Sequence, residues 1–584
     1  MKARQGVTTE GLFLSPAKIT RPNTTWEIAA FSNPSSSRTD TAGVINLTPN
    51  GNGTREQMIF FSAWNVTWSP ASAFLQHAYI NWMTRGLHAG YRRIHFNTQI
   101  DDVHMQTDLF EPAGKSFRIV GSDLAKHALW TDDLNSRLPA GSRYMIELAH
   151  NGNGNLENAT NPQSPGVCAG ASLIFTDSRF IDAPYEFVKP PGSGTNAWPT
   201  SPTNFSASTS CMDRDNLLTW LQTDDHLDKF MHISHTYTHQ ELNNATYSDA
   251  SKEISFNRAW LAATGISEAS IYSGFGIVPP AITGLNNSDV IQAWLDNGIQ
   301  YVVGDNTRPS TRNRQNLFWP LDSIPSTTSR QSVLIVPRWA TTIFYNCDTT
   351  QCDLHEWART RPNPDTLTFN DLLAEVKVVA VRNLLALHHD PFMFHQANLR
   401  TNVDPFDING KRQAYSLLMA WTETVLQEII RLTNWPVITK AHDELGTLFH
   451  ERRARDQCGY KLTYLYASDN QRVSAVEVSA NSNTCGSAIP ITFPGPVTST
   501  GTADVEQVST YFQRSVLRVT CANTNISRSA TIRLRSGSTL RDRSRLSLSK
   551  RLLNYKFVAH SEGVRCRNSY RVMGKYGLFH SQKT

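Results

Sequence analysis

The sequence predicts an α/β protein with β-rich ends, and three observations predict it. From about residue 90 to 455, short apolar runs of strand length alternate with longer runs that repeat at helical spacing, the pattern of strands joined by helices. On either side of that region the helical runs disappear and strand-length runs remain, punctuated by Asn, Gly, Ser and Pro. The composition, 40% hydrophobic and 18% charged, is that of folded protein, and 584 residues suffice for roughly two to four domains.

Residues 1–68 read as short strands, of which Gln57-Met58-Ile59-Phe60-Phe61 is the clearest. The piece is small for an independent core and is read as the end of a larger β-rich domain. Ser69-Pro70 then opens a helix that reaches about Arg85, with Gly86 just beyond it. The central region, 69–456, is expected to hold strands at 93–100, 143–149, 229–233, 300–303, 333–336 and 384–389. Its expected helices are 214–223, 248–263, 289–297, 370–381 and 412–432. Between Asn151 and Ser210 lies a long insertion rich in Pro, Gly, Asn and Ser, its two ends stapled by Cys168 and Cys211. After Asp456, strand-length runs without helices predict a small β-sandwich over 457–537. It holds Cys458, Cys485 and Cys521, an odd number, so one pairs with Cys566, pairs outside this sequence, or stays free.

The net charge of +5 is misleading. Residues 538–584 carry 11 Lys/Arg against two Asp/Glu, leaving 44 against 48 in the other 537 residues. The basic character belongs to this tail, which reads as a solvated, disordered run. Nucleic-acid binding would need a basic face with interleaved aromatics on a folded domain, and that pattern is absent. No apolar run is long enough to span a bilayer, and no secretory signal is visible behind Met1-Lys2-Ala3-Arg4-Gln5. Eight cysteines and nine N-x-Ser/Thr sequons, where chance supplies roughly six, nevertheless favour an oxidising compartment. The expectation is a monomeric protein of the extracellular space or cell wall, with Cys347–Cys352 and Cys168–Cys211 disulfides, whose sequence lacks its original N-terminus.

Among 18 histidines, His235 and His239 are the only pair four residues apart. On a helical turn that spacing would put both imidazoles on one face, close enough to share a metal ion. Upstream, an apolar run ends in Asp101-Asp102; downstream, another ends in His388-His389-Asp390. Strand ends are where α/β enzymes place ligands and catalysts. Neighbours on a strand point to opposite faces, so both carboxylates serve one site only if the strand bends or ends there. Two adjacent carboxylates are too close for a glycosidase pair, which flanks a sugar ring at roughly 5–9.5 Å. One metal ligand and one base is the alternative. The pairs Asp132-Asp133 and Asp224-Asp225 are read as solvated, and His232 and His395 as structural.

Thr98…Asp101-Asp102, His235-Thr236-Tyr237-Thr238-His239 and Leu387-His388-His389-Asp390 together resemble the NodB-type polysaccharide deacetylase pattern of carbohydrate esterases. The longer strings FLQHAYINWMTRGLHAGYRRIHFNTQIDD, HISHTYTHQELNNATY, SGFGIVPPAITGLNN, VVGDNTRP and LLALHHDPFMFHQANL resemble one branch, the fungal galactosaminogalactan deacetylases, over about residues 55–535. The resemblance implies a distorted (β/α) barrel between an N-terminal carbohydrate-binding β-domain and a C-terminal β-sandwich. It implies that Asp101 is a base and that Asp102, His235 and His239 hold Zn²⁺ or another divalent transition metal. A late histidine would be the acid: a Leu-x-His-Asp match selects His389, and His388 remains open. The arginine that common members place before a Pro-aromatic motif is absent from Gly276-Ile277-Val278-Pro279-Pro280, leaving Arg338 or Arg308 to replace it. The implied reaction is N-deacetylation of an N-acetylated polysaccharide, galactosaminogalactan foremost, giving acetate and a cationic polymer. The alternatives are a chitin-type N-acetylglucosamine substrate and a catalytically silent carbohydrate-binding protein.

Overall fold

A computed structural model describes residues 2, 5–32, 39–50, 53–160, 168, 187–323, 332–408, 410–466, 468, 473–479, 487–494, 503–507, 515–519, 530–535, 558–559 and 569–574. Its centre is an eight-stranded sheet. In chain order the strands are β1 (Thr98–Val103), β2 (Ile146–His150), β3 (Met231–Ser234), β4 (Tyr272–Ile277), β5 (Tyr301–Asp305), β6 (Leu321–Ser323), β7 (Val333–Arg338) and β8 (Phe392–His395). Their spatial order is β6-β7-β5-β4-β3-β2-β1-β8. All neighbours run parallel except β6, which joins β7 antiparallel. The sheet curls until its two sides meet. Trp339, just past β7, bridges Phe392 of β8 in parallel, donating its N–H to Pro391 O (2.8 Å) and accepting from Met393 N (3.0 Å). This is the expected α/β barrel in distorted form, with strand ends converging on one mouth.

Helices between the strands cover the outside of the curl, and their sequences say why they start where they do. Ser69 caps the helix Pro70–Met83 with Pro at its first turn, at the expected start. Thr246 caps Tyr247–Ala263, and Thr368 with Asp371 forms a capping box on Phe369–Leu385. The largest apolar core lies between the outer sheet face and the helices Pro70–Met83, Phe369–Leu385 and Leu417–Leu432, with Ile100, Leu148, Leu372, Leu384, Trp421 and Phe394 buried in it.

Two expected elements are corrected. The strand expected at 384–389 is instead the last turn of the helix Phe369–Leu385 and the loop after it; β8 begins only at Phe392. Leu372, Val376, Ala380 and Leu384 recur at helical spacing and are all buried, so the apolar run belongs to the helix. Leu387, in a left-handed conformation (φ 64°), ends it. The helix expected from 412 starts at Leu417, because Lys411–Gln413 pairs as a strand with Phe406–Ile408.

At the N-terminal end, Thr25–Ser32, Thr39–Asn50 and Gly53–Phe60 form an antiparallel sheet. Beyond the barrel there are two further sheets. One joins Lys461–Tyr466, Val473–Ser479, Ala530–Arg535, Val558–Ala559 and Ser569–Gly574; the other joins Ile489–Phe493, Ala503–Gln507 and Ser515–Val519 to His88–Ala89. The second sheet thus recruits the segment that leads into the barrel. Cys168–Cys211 and Cys347–Cys352 are disulfide-bonded, and so is Cys458. Cys485, Cys521 and Cys566, and the basic tail apart from its two short strands, lie outside the described residues. Among the described residues, no helix is long and apolar enough to cross a membrane.

A buried carboxyl sits inside the curl. Glu147 accepts hydrogen bonds from Gln99 Nε2 (2.8 Å), the His442 N–H (2.9 Å) and the Ser273 hydroxyl (3.3 Å). Burial pushes it up from the ordinary 4.5 to about 7. The fold therefore keeps a proton there that the unfolded chain releases, so this group's contribution is full below about pH 4.5 and is lost as pH rises through 7. Denaturation midpoints should fall between pH 5 and 8 in the native protein, and Glu147→Gln should flatten that slope. An unchanged slope would show that Glu147 titrates as in the unfolded chain.

Candidate active site

The mouth of the curl collects the chemistry at the carboxyl ends of its strands. Asp101 and Asp102 stand near the end of β1, His235 follows β3, Arg338 ends β7 and His395 ends β8. Asp101 pairs in register with His395. Alternation along a strand would send the two carboxylates to opposite faces. The conflict is resolved at Asp102, whose φ of 65° is left-handed, with a break in β1–β2 register between Ile100 and Val103. A non-glycine residue in that conformation is strained, and such strain gathers at functional sites.

Asp102 Oδ1 lies 3.1 Å from His235 Nε2 and 3.3 Å from His239 Nε2. The donor atoms of these three residues all fall within 4.8 Å of one another, and among the described residues they are the one such group. His235 Nδ1 donates to the Val278 carbonyl at 2.8 Å, since a carbonyl only accepts. In the neutral imidazole this leaves the Nε2 lone pair facing a carboxylate oxygen, an arrangement that calls for a cation between them. Ligands roughly 2.0–2.1 Å from a tetrahedral zinc stand about 3.3–3.4 Å apart, and a ligating histidine commonly donates its other N–H to a carbonyl. The donor set fits a divalent transition metal. Burial opposes the charge on Asp102, but the two imidazoles outweigh it and hold the carboxyl well below the usual range.

The histidine pair is not on a helix. His235 leaves β3, and the chain then turns through left-handed Thr236 (φ 66°) and His239 (φ 63°). What holds this loop is buried Glu253, on the helix Tyr247–Ala263, which accepts from the Tyr237 and Thr238 N–H groups and from Trp198 Nε1, each at 2.9 Å. Asn151 Nδ2 donates to the carbonyls of His235 (2.6 Å) and Thr236 (3.0 Å). Sequence reasoning passed over both residues, because neither carries a motif.

Asp101 does not join the metal-type cluster. Its oxygens are held by buried Arg338 in a two-pronged pair, Nη1–Oδ1 2.9 Å and Nη2–Oδ2 2.6 Å. Burial opposes the charge on Asp101, and the Arg338 guanidinium overcomes it to lower the carboxyl. Of the two candidate arginines, then, Arg338 reaches the site; Arg308 pairs with Asp305 in an exposed turn.

The late histidine differs from expectation. His388 stacks on Phe318 (4.3 Å between centroids) and sits 3.2 Å from Asp390 Oδ2; His389 packs against His95 (4.1 Å) and Phe449 (6.1 Å). Both precede β8, which rises about 10 Å over three residue steps before it reaches the mouth. The histidine beside the carboxylates is His395, with Nε2 3.9 Å from Asp101 Oδ2. Its signal was legible: Phe392-Met393-Phe394-His395 is an apolar run ending in a titratable residue.

With the geometry in hand, the comparisons agree with one another. Residues 96–463 match the Agd3 deacetylase domain, 1–82 the Agd3 CBM87 and 466–511 the Agd3 C-terminal domain. A solved structure described as "Crystal structure of Agd3 a novel carbohydrate deacetylase" is 44% identical, with a TM-score of 0.83 over 89% of this chain and 76% of that one. A 4-alpha-glucanotransferase from Thermococcus litoralis aligns at 12% identity over 40% of this chain and 31% of that one, with a TM-score of 0.22, too low to indicate a shared fold. No curated protein matches the chain.

The three-donor cluster makes a direct forecast. His239→Ala should leave the fold intact, since its imidazole is partly exposed at the loop, yet strip bound metal. Near-full metal content in that variant by elemental analysis would remove His239 from the ligand set.

Proposed function

This chain belongs to the Agd3 deacetylase family, and from that membership and its site we propose that it removes acetyl groups from the N-acetylhexosamine units of an extracellular polysaccharide, N-acetylgalactosamine in galactosaminogalactan foremost. The observation that carries the proposal is the division of two adjacent carboxylates: Asp102 turned to two imidazoles, Asp101 locked to an arginine.

In this reading Asp102, His235 and His239 hold a divalent metal, Zn²⁺ by the nature of the donors. When bound, that ion supplies acidification of a water and polarisation of the acetamide carbonyl. The rest is the work of the chain's own side chains. Asp101 takes the proton of the attacking water. Arg338 occupies one lone-pair direction on each of its oxygens, keeps it ionised and fixes its orientation, while the remaining lone pairs stay open. His395, in register with Asp101 at the same mouth, hands a proton to the departing amine. The products are acetate and an amine-bearing polymer whose protonated units would adhere to anionic surfaces. The disulfides support an extracellular setting for this reaction.

Acetate release from a panel of N-acetylated polymers, with and without chelator, tests the reading. Release should be greatest on N-acetylgalactosamine polymers, should stop with chelator and should return with Zn²⁺. In the same assay His395→Gln should lose activity by roughly 10²–10⁴-fold, the usual contribution of a general acid, while His388→Gln should stay near the wild-type rate. The reverse ranking would restore the acid to the segment before β8. Binding of the polymer without any acetate release would make the protein a carbohydrate-binding one.

A further inference from the structure

We propose that Tyr345 is a substrate-positioning residue, a rigid aromatic platform on which a hexosamine ring rests beside the reacting centre. The inference rests on the deacetylase reading for what the ring belongs to, and on the structure for the platform itself. Tyr345 is 55% exposed, far more than a tyrosine used for packing. Its ring centroid is 5.7 Å from that of His395, inclined at 60°, and His395 is in turn 3.9 Å from Asp101. The open ring therefore flanks the histidine that itself stands beside the carboxylate assigned as base.

An exposed side chain is usually a mobile one, but this backbone is pinned on both sides. Phe344 N–H donates to buried Asp353 at 2.8 Å, and Asn398 Nδ2 donates to the carbonyls of Phe344 (2.8 Å) and Cys347 (2.9 Å). Phe110 N–H donates to Asn346 O at 2.9 Å, and Cys347 is tied to Cys352 two residues past the tyrosine. Asp353 and Asn398 are both fully buried. The chain thus fixes the base of the ring and leaves its surface to solvent. A tyrosine has two side-chain torsions and a large amphipathic surface, so once its base is fixed little ordering remains to be done on binding. The C–H-bearing face of a pyranose is the complement of such a ring, and its acetamide would then extend toward His395 and Asp101.

The test compares wild type, Tyr345→Trp and Tyr345→Ala as metal-loaded full chains, using an oligomer of N-acetylgalactosamine. Two quantities are read: steady-state acetate release, and the dissociation constant for the oligomer by calorimetry. Tyr345→Ala should raise KM and Kd about three- to tenfold, the range of one aromatic contact, with a much smaller change in kcat; Tyr345→Trp should retain most of the affinity. Unchanged KM and Kd in Tyr345→Ala would overturn the proposal. So would a loss confined to kcat in both variants, which is what a merely structural support of His395 predicts. If wild type binds the oligomer but releases no acetate, the deacetylase reading fails while the Kd comparison still decides Tyr345. If wild type binds no oligomer at all, the platform is refuted.

Discussion

Everything at this site depends on one backbone constraint. A strand gives its consecutive residues to opposite faces, and Asp101 and Asp102 are consecutive. The left-handed turn at Asp102 breaks the rule at the point where the strand reaches the mouth. One carboxylate is thereby delivered to His235 and His239 and the other to Arg338, with no residue between them. Two carboxylates this close would repel if both were left bare. Separate partners let both stay ionised in a buried place, and the partners are what make the two chemically unequal. Such strain persists only where the surroundings over-determine it.

The surroundings do so through the barrel and its helices. Parallel pairing sets His395 opposite Asp101 and brings His150 beside Ser234, so that the strand ends arrive together. The loop carrying the two histidines has no periodic structure of its own. It is held by buried polar groups instead: Glu253 gathers two loop N–H groups, Asn151 two loop carbonyls, and Asn257 ties the His150 carbonyl to the Ser234 hydroxyl. Buried groups of this kind cost the fold free energy if any one partner is lost, so they hold one geometry rather than a family of them. The backbone on either side of Tyr345 repeats the device, held by Asp353 and Asn398.

Much of this was legible in the residues. The alternation of strand- and helix-length runs gave the architecture, and Asp101, Asp102, His235 and His239 stood out by spacing and by their place at run ends. The mechanism behind the histidine spacing was misread: a loop with two left-handed residues brings the imidazoles together, where a helical turn was expected. The strand expected before the late histidine was misplaced for a related reason. The apolar residues 384–385 finish a helix, and a short apolar run does not declare its own period. With the strand displaced to 392–395, it is His395 that stands beside Asp101. Arg338 could not be separated from Arg308 by sequence, because both follow strand-like runs; their partners separate them, Asp101 for Arg338 and Asp305 for Arg308. Glu253, Asn151 and Asn398 carried no signal at all, since a buried polar residue is recognised by its partners and those are distant in the chain.

In the proposed mechanism Asp101 and Asp102 are neighbours with different work, one accepting a proton and the other holding metal. Titrating metal into Asp101→Asn and Asp102→Asn, with acetate release followed at each addition, tests it most directly. The account predicts that Asp101→Asn binds metal nearly as tightly as wild type yet stays inactive at every concentration, with a loss of roughly 10²–10⁴-fold. Asp102→Asn should bind metal weakly and recover part of its activity as metal is raised. Rescue of Asp101→Asn by metal, together with normal metal affinity in Asp102→Asn, would contradict the account and exchange the two roles.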